Sequence, residues 1–316
     1  MQQSFSVKVK EDLCQNSIKN THCATAELAG IIHACGTFSL GAGGMSIKVS
    51  TENKNVVNRV FSLVKKLYSM DCQLTQSSSQ LQKEIYQVRI QPPEFSAFLA
   101  DMAIPFGFRF TVDHQGELFS TLIDRDCCQC AYLRGAILGG GIISDPEKNY
   151  HMEFVSGTQA TAFAVIHVLS LSGISAKCLE RKNGFSAYLK DAQSISETLT
   201  LAGAHSCVLA LENARMIKDI RNNVNRQVNF ENANIDKVVN AGMSQTENIQ
   251  LIEDHLGLEN LSPSLREAAE LRLQNPDASL SDLAALSGIS KSGINNRLRK
   301  LAEIADSYRT RFPEEP

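Results

Sequence analysis

A nine-residue run occurs twice in this chain, intact as LAGIIHACG over Leu28 to Gly36 and degraded as LRGAILGGG over Leu133 to Gly141. Placing Ala26 on Ala131 also superposes Gly30 on Gly135, Ile32 on Ile137, Gly36 on Gly141 and Ser39 on Ser144, so the run belongs to a longer repeat. Each copy spaces small residues four apart, Gly30 with Ala34 and Gly135 with Gly139. Such a pair lies on one helical face and lets a second backbone come close. The repeat predicts two helices of one kind packed together as the axis of a pseudo-twofold domain.

The surroundings of the two runs repeat as well. In the first half, residues 5 to 19 form an amphipathic pattern, and Thr21 or Thr25 is placed to cap the first motif helix. Thr37 to Leu40 and Met45 to Ser50 read as strands joined by the glycine turn at 41–44. Val56, Val57, Val60, Phe61, Val64 and Leu67 recur at helical spacing, Tyr86, Val88 and Ile90 alternate as a strand does, and a short helix follows Pro92-Pro93. In the second half, Asp126 to Gly140 is the motif helix, and Ile142-Ile143 with His151 to Val155 forms the hairpin. Thr158 to Leu171 is the middle helix, Ile174 to Leu179 and Phe185 to Leu189 are strands around Lys182-Asn183-Gly184, and Asp191 to Leu201 closes the unit. An αββαββα half repeated once predicts an α+β domain with two antiparallel sheets around the paired motif helices.

The chain has 316 residues, 43% of them hydrophobic, a length that suggests two or three domains. Its formal net charge is −3, so a nucleic-acid partner has to be met by a local basic patch. The first residues lack the apolar run of a signal peptide, and no later stretch approaches the ~20 apolar residues of a membrane span, which leads us to expect a cytoplasmic protein. Nine cysteines is an odd number and suits reduced thiols better than a disulfide framework. Cys127, Cys128 and Cys130 cluster, but a metal there lacks a fourth ligand at ordinary spacing. With Asp126 as N-cap and Gln129 as its capping-box partner, they read as helix-start cysteines.

Beyond Ser206 the strand patterns cease. Val208, Leu211, Met216, Ile217, Ile220 and Val224 suggest a helix running into an asparagine-rich segment, whose polar face carries Arg215, Lys218, Arg221, Asn222, Asn225 and Arg226. Two readings stand for that face: a solvated linker helix, or contact with phosphates, which Arg and Asn commonly make. A separate helix is expected from Ile235 to His255, with Gly257 ending it.

The last segment reads as three short helices. Ser262-Pro263 opens the first, which ends before Pro276; Ser279 caps the second; Gly288 turns the chain; and Ser290 caps the third, with Ile294, Leu298 and Leu301 inward. Ala284, Gly288, Ile289 and Ile294 have the spacing of a helix-turn-helix. Its late apolar anchor falls at Leu298 where position 297 is expected, which leaves the register open by one residue. Lys291, Ser292, Asn295, Asn296, Arg297, Arg299 and Lys300 point outward with no acid among them. Since Lys and Arg pair with guanine and Asn with adenine, Lys291, Ser292, Asn295 and Asn296 are assigned to base edges and Arg297, Arg299 and Lys300 mainly to phosphates. The alternative is a solvated basic helix in a protein-binding module.

The motif resembles that of the LAGLIDADG homing endonucleases. In that family the last acid of each motif helix holds a catalytic divalent metal over the scissile phosphate. Here those positions are Cys35 and Gly140, and His33 stands at the first motif aspartate. Asp101, Asp124, Asp126 and Asp145 read as surface, capping or turn residues. Over essentially the whole chain the sequence resembles the WhiA family, in the runs AYLRGA (131–136), SDPEK (144–148), RNNVNR (221–226) and KSGINNRLRKL (291–301). That resemblance implies a degenerate LAGLIDADG-like domain, with halves at 1–105 and 106–203, a helical linker at 204–258 and a helix-turn-helix domain at 259–312. It implies a non-catalytic, sequence-specific binder of double-stranded DNA with no cofactor, nucleoid-associated, regulating transcription in cell division, chromosome segregation and, in filamentous relatives, sporulation. Other transcription or cell-division proteins are further partners it suggests. Two other functions stay open: a sensor binding an effector or protein through the LAGLIDADG-like domain, in which His33 is either a ligand or a packing residue, and an active metal-dependent endonuclease.

Overall fold

The computed structural model describes residues 3–17, 19–41, 44–78, 84–105 and 114–311, in two compact units, 1–219 and 220–316. In the first unit the order is α1 (Phe5–Cys14), α2 (Thr21–Cys35), β1 (Gly36–Gly41), β2 (Gly44–Thr51), α3 (Lys54–Tyr68), β3 (Gln73–Ser78), β4 (Glu84–Ile90) and α4 (Phe95–Asp101). After α5 (Glu117–Leu122), which has no counterpart in the sequence reading, the same series returns. It runs α6 (Asp126–Gly140), β5 (Gly141–Ile143), β6 (Met152–Ser156), α7 (Gln159–Leu171), β7 (Lys177–Arg181), β8 (Gly184–Leu189) and α8 (Ala192–Ala202). The two four-stranded sheets have the orders β1-β2-β4-β3 and β5-β6-β8-β7, antiparallel throughout. This is the α+β repeat fold the sequence predicts; within the expected glycine turn, residues 42 and 43 lie outside the described residues.

Some expected boundaries and caps differ. Helix α1 stops at Cys14 rather than 19, with Gln15 as its C-cap. Asn20 and Arg125, not Thr25 or Asp126, precede the motif helices, and neither side chain makes a capping bond. Thr21 and Asp126 are the first helical residues, and the Gln129 amide donates to the Ile123 carbonyl at 3.1 Å, so no capping box forms.

The motif helices α2 and α6 pack on each other along their length, and each also packs on its own sheet. A Cβ added at Gly135 would lie 2.0 Å from the Glu27 carbonyl oxygen, and one at Gly30 would lie 2.3 Å from that of Tyr132. The reciprocal contact requires glycine at both positions, since no side chain fits between the backbones. Beside it the buried Glu27 carboxylate accepts from Arg59 of α3 at 2.5 and 2.9 Å and from Arg134 of α6 at 3.1 Å. The Arg59 guanidinium also donates to the Cys14 and Asn16 carbonyls, and that of Arg134 to the Ala202 carbonyl. A buried charge group costs desolvation, which this network offsets by satisfying the carboxylate from both halves. Ser6 of α1 binds the Ile143 backbone at the edge of the second sheet, and Asp12 accepts from the Ser206 and Cys207 amides at the start of the next helix.

His33 is a packing residue here. It is 2% exposed, with Nε2 2.6 Å from the Met102 carbonyl oxygen and Nδ1 3.0 Å from the Tyr132 hydroxyl. A carbonyl only accepts, so Nε2 carries the proton and Nδ1 accepts from Tyr132. Burial lowers its pKa to about 4.

One helix, α9 (His205–His255), replaces the two expected between Val208 and His255. Asparagine has weak helix propensity, but nothing from 205 to 241 is Pro or Gly, so the asparagine-rich stretch lowers helicity without breaking it. The expected inward stripe also fails beyond Leu211: Met216, Ile217, Ile220 and Val224 are exposed. The second unit contains the later part of α9, a short 3-10 turn (Leu258–Asn260), α10 (Pro263–Gln274), α11 (Leu280–Ser287) and α12 (Lys291–Arg311). Ile249 and Ile252 of α9 share a core with Ala268, Ala269, Leu283, Ile294, Leu298, Leu301 and Ala305, so four helices build the unit in place of the expected three.

Two outcomes follow for stability. Gly135→Ala should lower unfolding free energy in a urea titration by about 3 kcal/mol or more, as overpacking against backbone does, and a loss under about 1 kcal/mol would contradict the close packing. His33 stays neutral in the fold but gains a proton below its ordinary value of 6.5 when unfolded. Stability should therefore fall as pH drops from 6.5 toward about 4, by about 3 kcal/mol at most from this residue, and His33→Phe should flatten that part of the pH profile.

Candidate nucleic-acid interface

Three local devices hold α12 in place. The Ser279 hydroxyl accepts from the Asp282 amide at 3.3 Å while Asp282 accepts from the Ser279 amide at 3.0 Å, a closed capping box that starts α11. Those bonds from Ser279 hold the Asp282 carboxyl below its usual pKa. Gly288 then takes φ +68°, the left-handed conformation that ends α11, and a side chain there would be strained. The Ser290 hydroxyl accepts from the Gly293 amide at 3.2 Å and opens α12. Before the motif, the buried Arg272 guanidinium donates to the carbonyls of Asn275, Pro276 and Ala278, tying the end of α10 to the approach to α11. Helical spacing places Arg272 in the apolar stripe of α10 but does not show this role, because the carbonyls it serves lie beyond the end of the helix.

The register question is answered by Leu298, which is buried with Ile294 and Leu301. Lys291, Ser292, Asn295, Asn296, Arg299 and Lys300 are all exposed on the other face. Arg297, assigned to phosphates, is 26% exposed and donates to Glu267 of α10 at 2.9 Å, with Leu298 inward and position 297 turned toward α10. Arg299 pairs loosely with Glu303 at 3.7 Å, both side chains being exposed. On α9, Arg221, Asn222, Asn225 and Arg226 are exposed. In the first unit Arg215 is engaged by Gln193 and Glu212, and the Lys218 amine donates to the Lys148 carbonyl while lying 4.5 Å from the centre of the Tyr150 ring.

The motif-acid positions are structurally closed to carboxylates on one side. Gly140 ends α6 where a Cβ would lie 2.2 Å from the Val155 carbonyl oxygen. Cys35 ends α2; burial pushes its thiol up to about 11, and it donates to the Ile31 carbonyl at 3.3 Å. A cleft of about 880 Å³ opens over these two helix ends, and Lys10 of α1 lines it, its amine held below the usual lysine pKa by burial. The acids on its wall, Glu11 and Glu52, come from α1 and the β2–α3 turn, not from a motif helix. The other aspartates have local partners: Asp101 accepts from the Tyr68 hydroxyl, Asp124 lies 3.8 Å from Arg125, Asp145 accepts from the Glu147 amide in its turn, and Asp126 starts α6.

At the opposite ends of the same helices lies a group of which the sequence reading weighed only the cysteines of α6. His22 Nδ1 is 3.2 Å from the Cys128 sulfur, 3.3 Å from that of Cys23 and 3.9 Å from that of Cys127. All four ligand atoms fall within 4.8 Å of one another. Burial, then the neighbouring Cys23 and Cys127, raise the Cys128 thiol to about 12. Cys127 and Cys128 do start α6, and they meet His22 and Cys23 of the other half there, while Cys130 stands outside the group. The signal was present in the repeat: the offset that puts Ala26 on Ala131 puts His22-Cys23 on Cys127-Cys128.

Three family profiles match the chain: the WhiA N-terminal LAGLIDADG-like domain over residues 21–104, the WhiA LAGLIDADG-like domain over 129–221 and the WhiA C-terminal HTH domain over 224–305. The chain is 39% identical to the probable cell division protein WhiA of Alkaliphilus metalliredigens over 97% of its own length and 98% of the relative's. It is 41% identical to the protein of the same name from Shouchella clausii, over 97% and 95%. The full-length DUF199/WhiA crystal structure from Thermatoga maritima superposes with a TM-score of 0.61 at 24% identity, covering 96% of this chain and 99% of that one, a likeness of fold. Among the described residues no helix is long and apolar enough to cross a membrane. With the repeat, the paired motif helices and the helix-turn-helix now matched across nearly its whole length, the chain belongs to the WhiA family.

Proposed function

We propose that the protein is a non-catalytic, sequence-specific binder of double-stranded DNA that regulates transcription in cell division and chromosome segregation, in the cytoplasm and associated with the nucleoid. The observation that carries this reading is the exposed face of α12, which presents Lys291, Ser292, Asn295, Asn296, Arg299 and Lys300 from a helix anchored by three buried side chains, with no acid from 291 to 300. A helix with this composition suits the major groove, its first residues meeting base edges and its later cations the phosphates. Arg221, Asn222, Asn225 and Arg226 supply a second exposed polar face suited to backbone contacts. Arg297 acts in this reading through Glu267, holding α12 on α10. The relatives' name supports a role in cell division. The divisions at 1–105, 106–203, 204–258 and 259–312 are proposed as functional segments, although the end of α9 shares the core of the last.

Against cutting stand Gly140, which has no room for a carboxylate, and Cys35, a half-buried thiol where the motif has an acid. One observation favours a sensor role beside DNA binding: the cleft of about 880 Å³ over the ends of the motif helices, which Lys10, Lys54, Glu11 and Glu52 line.

Arg299→Ala and Lys300→Ala should each weaken binding to all duplexes alike and reduce the slope of log K against log salt by about 0.9, whereas an unchanged slope counts against the phosphate assignment. Asn295→Ala and Asn296→Ala should relax base preference by about 1–3 kcal/mol per lost bidentate contact, and recovery of an unaltered motif from random duplexes would refute their role. Duplex carrying a bound site should stay intact with magnesium or manganese present, and metal-dependent nicking by pure protein would revive the endonuclease.

A further inference from the structure

We propose that His22, Cys23, Cys127 and Cys128 bind one zinc ion that clips together the N-terminal ends of the two motif helices. The ligand set is three cysteines and one histidine, with two ligands from each half of the repeat. Zinc bonds of about 2.3 Å to sulfur and 2.0 Å to nitrogen place tetrahedral donors about 3.5–3.8 Å apart. The observed separations from His22 Nδ1 are 3.2, 3.3 and 3.9 Å and no pair of donor atoms is more than 4.8 Å apart, close to that tetrahedral spacing.

The placement has a reason in the fold. Residues related by the repeat offset meet where α2 and α6 begin, and all four ligands lie at or next to the first helical turn. The ion itself supplies the charge that draws off the thiol protons, since only the thiolate binds metal. Four protein ligands leave no open position, which fits a structural rather than a catalytic ion, and soft thiolates with one imidazole in tetrahedral array select zinc over magnesium or calcium. The site lies about 12 residues, or roughly 18 Å, along the helices from Cys35 and Gly140, so it is distinct from the degenerate metal position of the endonuclease motif. Binding exchanges the three thiol protons for the ion and involves no redox change.

The test uses the full chain, purified under reducing conditions without chelator. Elemental analysis should find about one zinc per chain, and X-ray absorption should resolve three sulfur and one nitrogen neighbours. Cobalt titrated into the chelated protein should give thiolate-to-cobalt charge-transfer and tetrahedral d–d bands. Cys23→Ser and Cys127→Ser should lose the metal, Cys130→Ser should keep it, and removing zinc should lower the thermal midpoint by ~5–10 °C. The cobalt titration needs no variant, so it reads the site even where a substitution prevents folding. Zinc-free protein that also binds cobalt without a thiolate band would overturn the proposal. So would full zinc content in Cys23→Ser, or a disulfide joining Cys23 to Cys127 or Cys128 in the protein as purified.

Discussion

The close approach of α2 and α6 is the contact from which the rest of the first unit is positioned. With the Gly135 backbone against the Glu27 carbonyl and that of Gly30 against the Tyr132 carbonyl, the two half-repeats share one axis and one hydrophobic core. The sheets hang from this axis in the same strand order, β1-β2-β4-β3 and β5-β6-β8-β7. Glu27 holds Arg59 from its own half and Arg134 from the other, so the charge network depends on the helix pair being at that distance. His33, Tyr132 and Met102 close a neutral relay beside it, using up polar atoms that would otherwise be buried alone.

The two ends of that helix pair have gone separate ways. At the C-terminal ends, where the LAGLIDADG motif carries its acids, a glycine pressed against the Val155 carbonyl and a half-buried thiol remain, with a lysine in the cleft. Restoring an acid at Gly140 would require the β6 backbone to move, so the loss is built into the packing and not only into the residue type. At the N-terminal ends, thiols and an imidazole converge. In the proposed account the helix pair serves as a staple between halves, and recognition of the duplex rests on α12.

Periodicity and the repeat made most of the fold legible. Alternation at Tyr86, Val88 and Ile90, the turn at Lys182-Asn183-Gly184, and the capping serine at 279 with Gly288 all correspond to observed elements, because each is a local preference that tertiary contacts reinforce. What stayed hidden depended on partners distant in sequence. The pairing of Arg297 with Glu267, thirty residues earlier on α10, does not show in the spacing of α12. His22 and Cys23 were invisible as ligands because spacing rules consider neighbours along the chain, while their partners lie about one repeat away. The continuity of α9 was missed because asparagine clusters suggest loops, yet with no Pro or Gly to interrupt them the helix persists.

The claim that the scaffold of a DNA-cutting fold has passed recognition to a basic helix is tested most directly in the cell. Genome-wide crosslinking of the full chain would be compared with that of a chain carrying Lys291→Glu, Arg299→Glu and Lys300→Glu together, both shown to be folded by circular dichroism. The account predicts discrete occupied sites with a shared motif for the unsubstituted chain and their loss from the charge-reversed one. The same sites occupied by both proteins would contradict it.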